Sequence, residues 1–345
     1  MSTERTVVQL VGSNPLPLYI AATSLGATNA VLIHSPQSTD VARRLSVVYR
    51  RRGIRPTPVE IGDSADARAC RAAITPDLGS AYLDYTGGRK VMAVHTYMAW
   101  LEAGGDPSRA FYVDNLRGQL RFDNGDSMPI TTELTLLTVA ILHGWRVLNA
   151  HEVNTSPTFR KDIEREARAF IRNLEESLGD YREGGWWLEE LVAILLYQTG
   201  LFSEKRIHVN VEVRRGPNSS MEMDVVALRG HFVYVVSCTA TRNYHVCRNK
   251  AFEVVVRGRQ FAGNHVRTAM VCPLGHIKLS ERFRQVSDRR YDLQQAIYEN
   301  WDYPHSFRAF GLDDIKAWIG VDPTTPDISS LKRWVMHAGF VPMHK

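Results

Sequence analysis

The chain has 345 residues, of which 44% are hydrophobic and 23% charged, an ordinary globular composition with length enough for two domains. A formal net charge of +5 permits a polyanionic partner without demanding one, and four scattered cysteines exclude a disulfide-stapled scaffold. No run of about 18 apolar residues occurs, so no transmembrane helix or membrane partner is expected; with no signal-peptide core after Met1, a reducing cytoplasm is the expected compartment.

Thr6 to Val11 reads as a short buried strand, Gly12 to Pro17 as a turn, and Leu18 to Leu25 as a helix. Ala30 to Ile33 is a second strand, followed by His34-Ser35-Pro36 and a helix over Thr39 to Tyr49 with Val41, Leu45 and Val48 on one face. Thr57 to Ile61 and Ala65 to Ile74 repeat the alternation. A fourth strand, Ser80 to Tyr85, runs into Thr86-Gly87-Gly88-Arg89-Lys90, after which Val91, Val94 and Met98 recur on one helical face; Arg109 to Val113 is the fifth strand. Alternating strands and helices predict a doubly wound, mostly parallel α/β sheet, whose ligands sit at the carboxyl ends of the strands. That rule puts Ser13, Asn14, Ser35 and Thr86 to Lys90 on one rim.

The Thr86-to-Lys90 turn brings bare backbone N–H groups, a hydroxyl and two cations to the positive end of a helix dipole, which suits a phosphate. On spacing alone it reads equally as an ordinary glycine-rich βα turn. The dinucleotide fingerprint and the Walker A loop are both absent, which argues against a nicotinamide oxidoreductase or a P-loop NTPase.

Residues 115–125 read as a hairpin around Asn124-Gly125, Leu134 to Leu142 as an apolar helix, and Pro157 to Leu178 as a charged amphipathic helix. The expected boundaries are a first domain over 1–145, a helical linker over 146–180 and a second domain over 181–345. In the second half a helix opens at Trp186 and runs to about Thr199. Strands follow at Lys205 to Arg215, Met221 to Leu228 and His231 to Val236, then a helix from Arg248 to Phe261 and a strand at Arg267 to Val271. The tail is expected to hold short helices at Ser280 to Gln285, Leu293 to Glu299, Leu312 to Ile319 and Ile328 to His337. His245, Cys247, Cys272 and His276 lack a common structural zinc spacing, so zinc is not expected.

Val11-Gly12-Ser13-Asn14-Pro15-Leu16-Pro17 and Thr86-Gly87-Gly88-Arg89-Lys90-Val91-Met92-Ala93 resemble the two signatures of CRISPR-associated Rossmann-fold (CARF) sensor domains, in the subfamily fused to a PD-(D/E)xK nuclease. The resemblance implies a homodimer of type III CRISPR defence that binds a cyclic oligoadenylate, typically cyclic tetra-adenylate, across its two-fold axis. It carries Ser13, Asn14, Thr86, Gly87, Gly88 and Lys90 over as ligand contacts. The family usually has Thr where this chain has Arg89, which leaves the ring size and the role of Arg89 open.

For the second half it implies a restriction-endonuclease-like α/β domain. Glu189, in Trp187-Leu188-Glu189, and Asp224, in Glu222-Met223-Asp224-Val225, would hold Mg²⁺ or Mn²⁺ for nucleic-acid cleavage. Ser237-Cys238-Thr239 stands where the family has Glu-Cys-Lys or Ser-Cys-Lys. Ser237 offers an uncharged oxygen, and Thr239 cannot replace an ammonium group. Lys250, early in the next helix, is the candidate to supply that charge. Two readings stay open: an active, messenger-switched nuclease on DNA or RNA, and a nuclease fold without chemistry that binds the messenger or recruits a partner.

Overall fold

The structure, a computed structural model, describes residues 4–176, 185–280, 285–300, 306–322 and 324–336. They divide into two compact units, Met1–Arg146 with Phe261–His265, and Val147–Gln260 with Val266–Lys345.

The first unit is α/β. In chain order it runs β1 (Thr6–Val11), α1 (Leu16–Leu25), β2 (Asn29–His34), α2 (Thr39–Arg51), β3 (Arg55–Glu60), α3 (Ala67–Ala72), β4 (Tyr82–Asp84), α4 (Lys90–Glu102), β5 (Ala110–Asp114), β6 (Gln119–Phe122), β7 (Ser127–Pro129) and α5 (Leu136–Leu142). Seven strands form one sheet in the order β3-β2-β1-β4-β5-β6-β7. The first five are parallel, and β6 and β7 add antiparallel through the turn at Asn124-Gly125. β1 is buried along almost its whole length because helices cover both faces of the sheet. Leu10, Leu83, Met92 and Trp100 belong to its core. The order reverses between β1 and β4, so the loops after these two strands flank the topological switch point, where doubly wound sheets bind ligands.

The second unit begins with β8 (Arg146–Glu152), α6 (Pro157–Glu176) and α7 (Trp186–Gln198), continues through β9 (Ile207–Arg214), β10 (Ser220–Arg229), β11 (Phe232–Cys238), α8 (Tyr244–Ala262) and β12 (Val266–Val271), and closes with β13 (His276–Ser280), β14 (Gln285–Asp288), α9 (Arg289–Asn300), β15 (Phe307–Phe310), α10 (Leu312–Trp318) and α11 (Ser329–Met336). Its main sheet has the order β15-β12-β11-β10-β9-β8. β9, β10 and β11 form an antiparallel meander, while β12 and β15 run parallel to β11. α7 is apolar nearly all round and packs on β9, β10 and β11, with α6 against its other side.

Some elements differ from the sequence-based expectation, for identifiable reasons. The stretch read as a linker buries Ile163, Ala167, Phe170 and Ile171 in the same core as α7, so α6 is part of the second unit. α8 starts at Tyr244, four residues before its expected start, because the Asn243 side chain accepts from the N–H groups of His245 and Val246. The helix expected over Ser280 to Gln285 is replaced at its ends by strand pairing, Ser280 opposite Gln285, after an apolar-polar alternation in His276-Ile277-Lys278-Leu279. The residues between, and His337, lie outside the described residues. β15 is four residues long, too short for a period to show.

Candidate functional site

In the first unit the rim residues after β1 and β4 stand on two loops that touch, while Ser35 follows β2. A methyl group on Gly12 would lie 3.0 Å from the Gly88 nitrogen, and one on Gly87 would lie 2.1 Å from the Leu10 carbonyl oxygen. Only glycine lets the β1 and β4 loops close to this distance, and Gly88 also needs its positive φ of 76°. Beneath them Asp84 is fully buried and accepts from the Thr86 N–H (3.0 Å), the Thr86 hydroxyl (2.6 Å) and the Gln9 amide (2.8 Å). Gln9 in turn accepts from the Tyr49 hydroxyl at 2.5 Å, and that hydroxyl also reaches the Leu18 carbonyl at 2.9 Å. Burial pushes the Asp84 carboxyl up to about 6, against the pull of the Thr86 and Gln9 hydrogen bonds.

This arrangement distributes the predicted rim residues unevenly. Ser13, Arg89 and Lys90 are exposed, and Asn14 is half-buried with its side-chain oxygen taking the Leu16 N–H at 3.3 Å. The Thr86 hydroxyl both donates to Asp84 and accepts from the Val113 N–H at 2.8 Å, so its present partners are those that shape the loop. Ser35 is buried, with its hydroxyl 3.4 Å from that of Ser38. Arg89 precedes the first turn of α4, whose leading N–H groups have no partner inside the helix. Along α4, Val91, Val94, Met98 and Leu101 stand exposed in one stripe, beside a shallow cavity of about 340 Å³ that Tyr85, Tyr97 and Asp123 help to line.

In the second unit Asp224 and Ser237 meet across β10 and β11. The Ser237 hydroxyl donates to Asp224 Oδ2 at 3.0 Å, and the Cys238 N–H donates to the same oxygen at 2.6 Å. Oδ1 takes no part in either bond. Across β9, Asn210 has φ 51° between the paired positions Val209 and Val211, so the strand is locally distorted opposite Asp224. A pocket of about 50 Å³, room for a few waters, is lined by Glu222, Asp224, Ser237, Lys250, Glu253 and Arg257. Arg257 pairs with Glu253 at 2.5 Å and donates to the Glu222 carbonyl at 2.8 Å. Lys250 therefore arrives from α8 at the same pocket as Asp224 and Ser237.

Glu189, on α7, belongs electrostatically to this group. Burial first, and then the nearby Asp224 and Glu222 carboxylates, raise its carboxyl to about 7, with Lys250 opposing them. The Cys238 thiol is pushed well above its ordinary value by burial first and then by Asp224 and Glu189, which leaves it an inert neutral group. Glu222 lines the pocket although no role was expected of it beyond its place in the Glu222-to-Val225 motif. Two residues before Asp224 on a strand, it shares that residue's face, a period-two signal that was there to use.

A divalent cation fits these residues in a particular way. Among the described residues, no three His, Cys, Asp or Glu side chains converge as a ready ligand set. Asp224, with Oδ1 outside both of its hydrogen bonds, lines a pocket with room for water and lies close enough to Glu189 for their charges to interact, which suits an ion that keeps most of its own waters, as Mg²⁺ does.

No protein-family model matches the sequence, and no curated protein matches it. Solved structures do match its fold. Protein VC1899 from Vibrio cholerae superposes with a TM-score of 0.72 at 15% identity, over 97% of this chain and 99% of that one. Can2 from Sulfobacillus thermosulfidooxidans, solved in complex with cyclic tetra-adenylate, gives 0.69 at 16% identity over 96% and 98%. A type III CRISPR defence DNA nuclease activated by cyclic oligoadenylate gives 0.60 at 18% identity, covering 79% of this chain and 46% of that one. At these identities the likeness establishes the architecture: this chain is a mixed α/β protein with two main sheets, similar in fold to VC1899 and Can2 over 97% and 96% of its length.

Proposed function

We propose that the chain is a cyclic-oligoadenylate sensor, with cyclic tetra-adenylate as the messenger, that switches a metal-dependent nuclease in its second unit. One observation carries the reading. The ammonium group missing from position 239 has a substitute in Lys250, which lines the same pocket as Asp224 and Ser237. The match to a protein solved with cyclic tetra-adenylate, over 96% of this chain, supports the choice of messenger.

In this reading the backbone N–H groups at the start of α4, with Ser13, Asn14, Arg89 and Lys90, receive the messenger's phosphodiesters. Asp84, Thr86, Gly87 and Gly88 hold the loop in shape. The exposed stripe Val91, Val94, Met98 and Leu101 supports a homodimer in which the stripe meets its own copy. In the second unit Glu189 and Asp224 hold Mg²⁺ or Mn²⁺. The bound cation supplies an activated water and neutralises charge on the scissile phosphate. Ser237 and the Cys238 N–H fix the orientation of Asp224, and Lys250 brings positive charge to the phosphate oxygens. Messenger binding favours the cutting-competent state by as much as it binds that state more tightly.

The test is cleavage of labelled single-stranded DNA, single-stranded RNA and supercoiled plasmid with Mn²⁺, with and without cyclic tetra-adenylate. Messenger-dependent cutting is expected, reduced by about 100-fold or more in both Asp224→Ala and Lys250→Ala. Cutting that survives in Lys250→Ala removes the lysine from the mechanism. Tight messenger binding without cutting on any substrate selects the second reading, a binding module, which Thr239 at the family's lysine position favours.

A further inference from the structure

Two tryptophans open α7, and they go opposite ways. Trp187 is buried and packs at a tilt against Phe170, ring centroids 4.9 Å apart. Trp186 is 57% exposed. It precedes Glu189 by three residues, so the two share a helix face. The residue before it, Gly185, lies against the end of β11: a methyl group there would be 3.6 Å from the Ala240 nitrogen and 3.9 Å from Thr239 Cα. The N-terminus of α7 thus borders the strand end that carries Ser237 and Cys238, the two groups that hold Asp224. Arg242 and Arg248, both exposed, follow on the chain that leads to Lys250.

An indole left in water beside a candidate phosphate-cleaving site is a stacking platform. Bases inside a duplex have both faces covered by their neighbours, whereas an unpaired base has a free face. We propose that Trp186 stacks on an unpaired base next to the phosphate that Asp224 and Lys250 receive, and that the substrate is therefore single-stranded where it is cut. This rests on the nuclease reading above.

The experiment uses the full chain carrying Asp224→Asn, with cyclic tetra-adenylate present, and reads fluorescence anisotropy of labelled oligonucleotides. Trp186→Ala is expected to weaken single-strand binding about 10-fold, Trp186→Phe to restore most of it, and duplex binding to change less than about twofold. A single abasic site moved along the strand is expected to weaken binding about 10-fold at one position, and that dip is expected to vanish in Trp186→Ala. A dip that persists in Trp186→Ala, or single-strand binding indifferent to Trp186, overturns this proposal and leaves the nuclease reading standing. No binding of any oligonucleotide by the parent protein, with no cutting by the wild type, overturns both.

Discussion

A half-buried acid in the second unit, Glu189, and a fully buried one in the first, Asp84, carry most of the testable electrostatics. Glu189 has a folded-state value of about 7 against an ordinary 4.5. Between those values the folded protein keeps a proton that the unfolded chain releases. This contribution to stability is complete below about pH 4.5 and is lost as pH rises through about 7. Metal-free protein is therefore expected to lose melting temperature between about pH 5 and pH 8, and Glu189→Gln to flatten that slope. Equal slopes in the two proteins would remove Glu189 from the buried cluster. Asp84 has the same sign, from an ordinary 3.8 up to about 6, but its main role is to gather the Thr86 and Gln9 donors. Asp84→Ala strands those donors in the interior and is expected to cost about 3 kcal/mol, read as a lower urea midpoint, with weaker messenger binding. A midpoint shift below about 1 kcal/mol would mean that the loop holds itself. Asp84 was legible as a strand residue before a glycine turn. Its burial was not, because nothing in a linear sequence says which strand will lie beside Gln9.

At the scale of elements, α4 does two jobs on two faces. Its buried face, Met92, Thr96, Ala99 and Trp100, packs on the sheet, and its first turn meets the β4 loop. Its exposed stripe is what the homodimer reading explains. Val94→Asp with Met98→Asp is expected to give a monomer by sedimentation, with an unchanged melting temperature and messenger affinity reduced by at least about 10-fold, since each copy would supply half of a two-fold site. A dimer that survives both charges places the two-fold elsewhere. The recurrence of Val91, Val94 and Met98 on one helical face was plain in the sequence, but not whether that face is buried. The structure puts all three outside, because the helix is apolar on both sides and pattern alone does not say which side meets the sheet. The first five strands and the α7-to-β12 succession were legible because their apolar runs are punctuated by glycine, proline and polar turns.

For the whole molecule, the proposed switch makes a reciprocal demand. If the messenger tightens nucleic-acid binding by some factor, nucleic acid must tighten messenger binding by the same factor, in the range of about 5- to 150-fold typical of allosteric coupling. Titrating each ligand on the Asp224→Asn chain, with and without the other, measures both arms. Two factors of one would mean that the units bind independently and that the switch does not exist. What the sequence determined by itself was local: where strands and helices lie, which turns demand glycine, and that position 239 holds threonine rather than lysine. Residues a few positions apart set these through backbone sterics and hydrophobic period. What only the tertiary structure decided was proximity between distant segments. It set the strand order that lays Gly12 against Gly88, and it placed Lys250 of α8 and Asp224 of β10 on one pocket. It also set the depth of Asp84 and Glu189, and with it their affinity for protons. Those features depend on how apolar surfaces assemble across the whole chain, and a sequence read in order carries no distances.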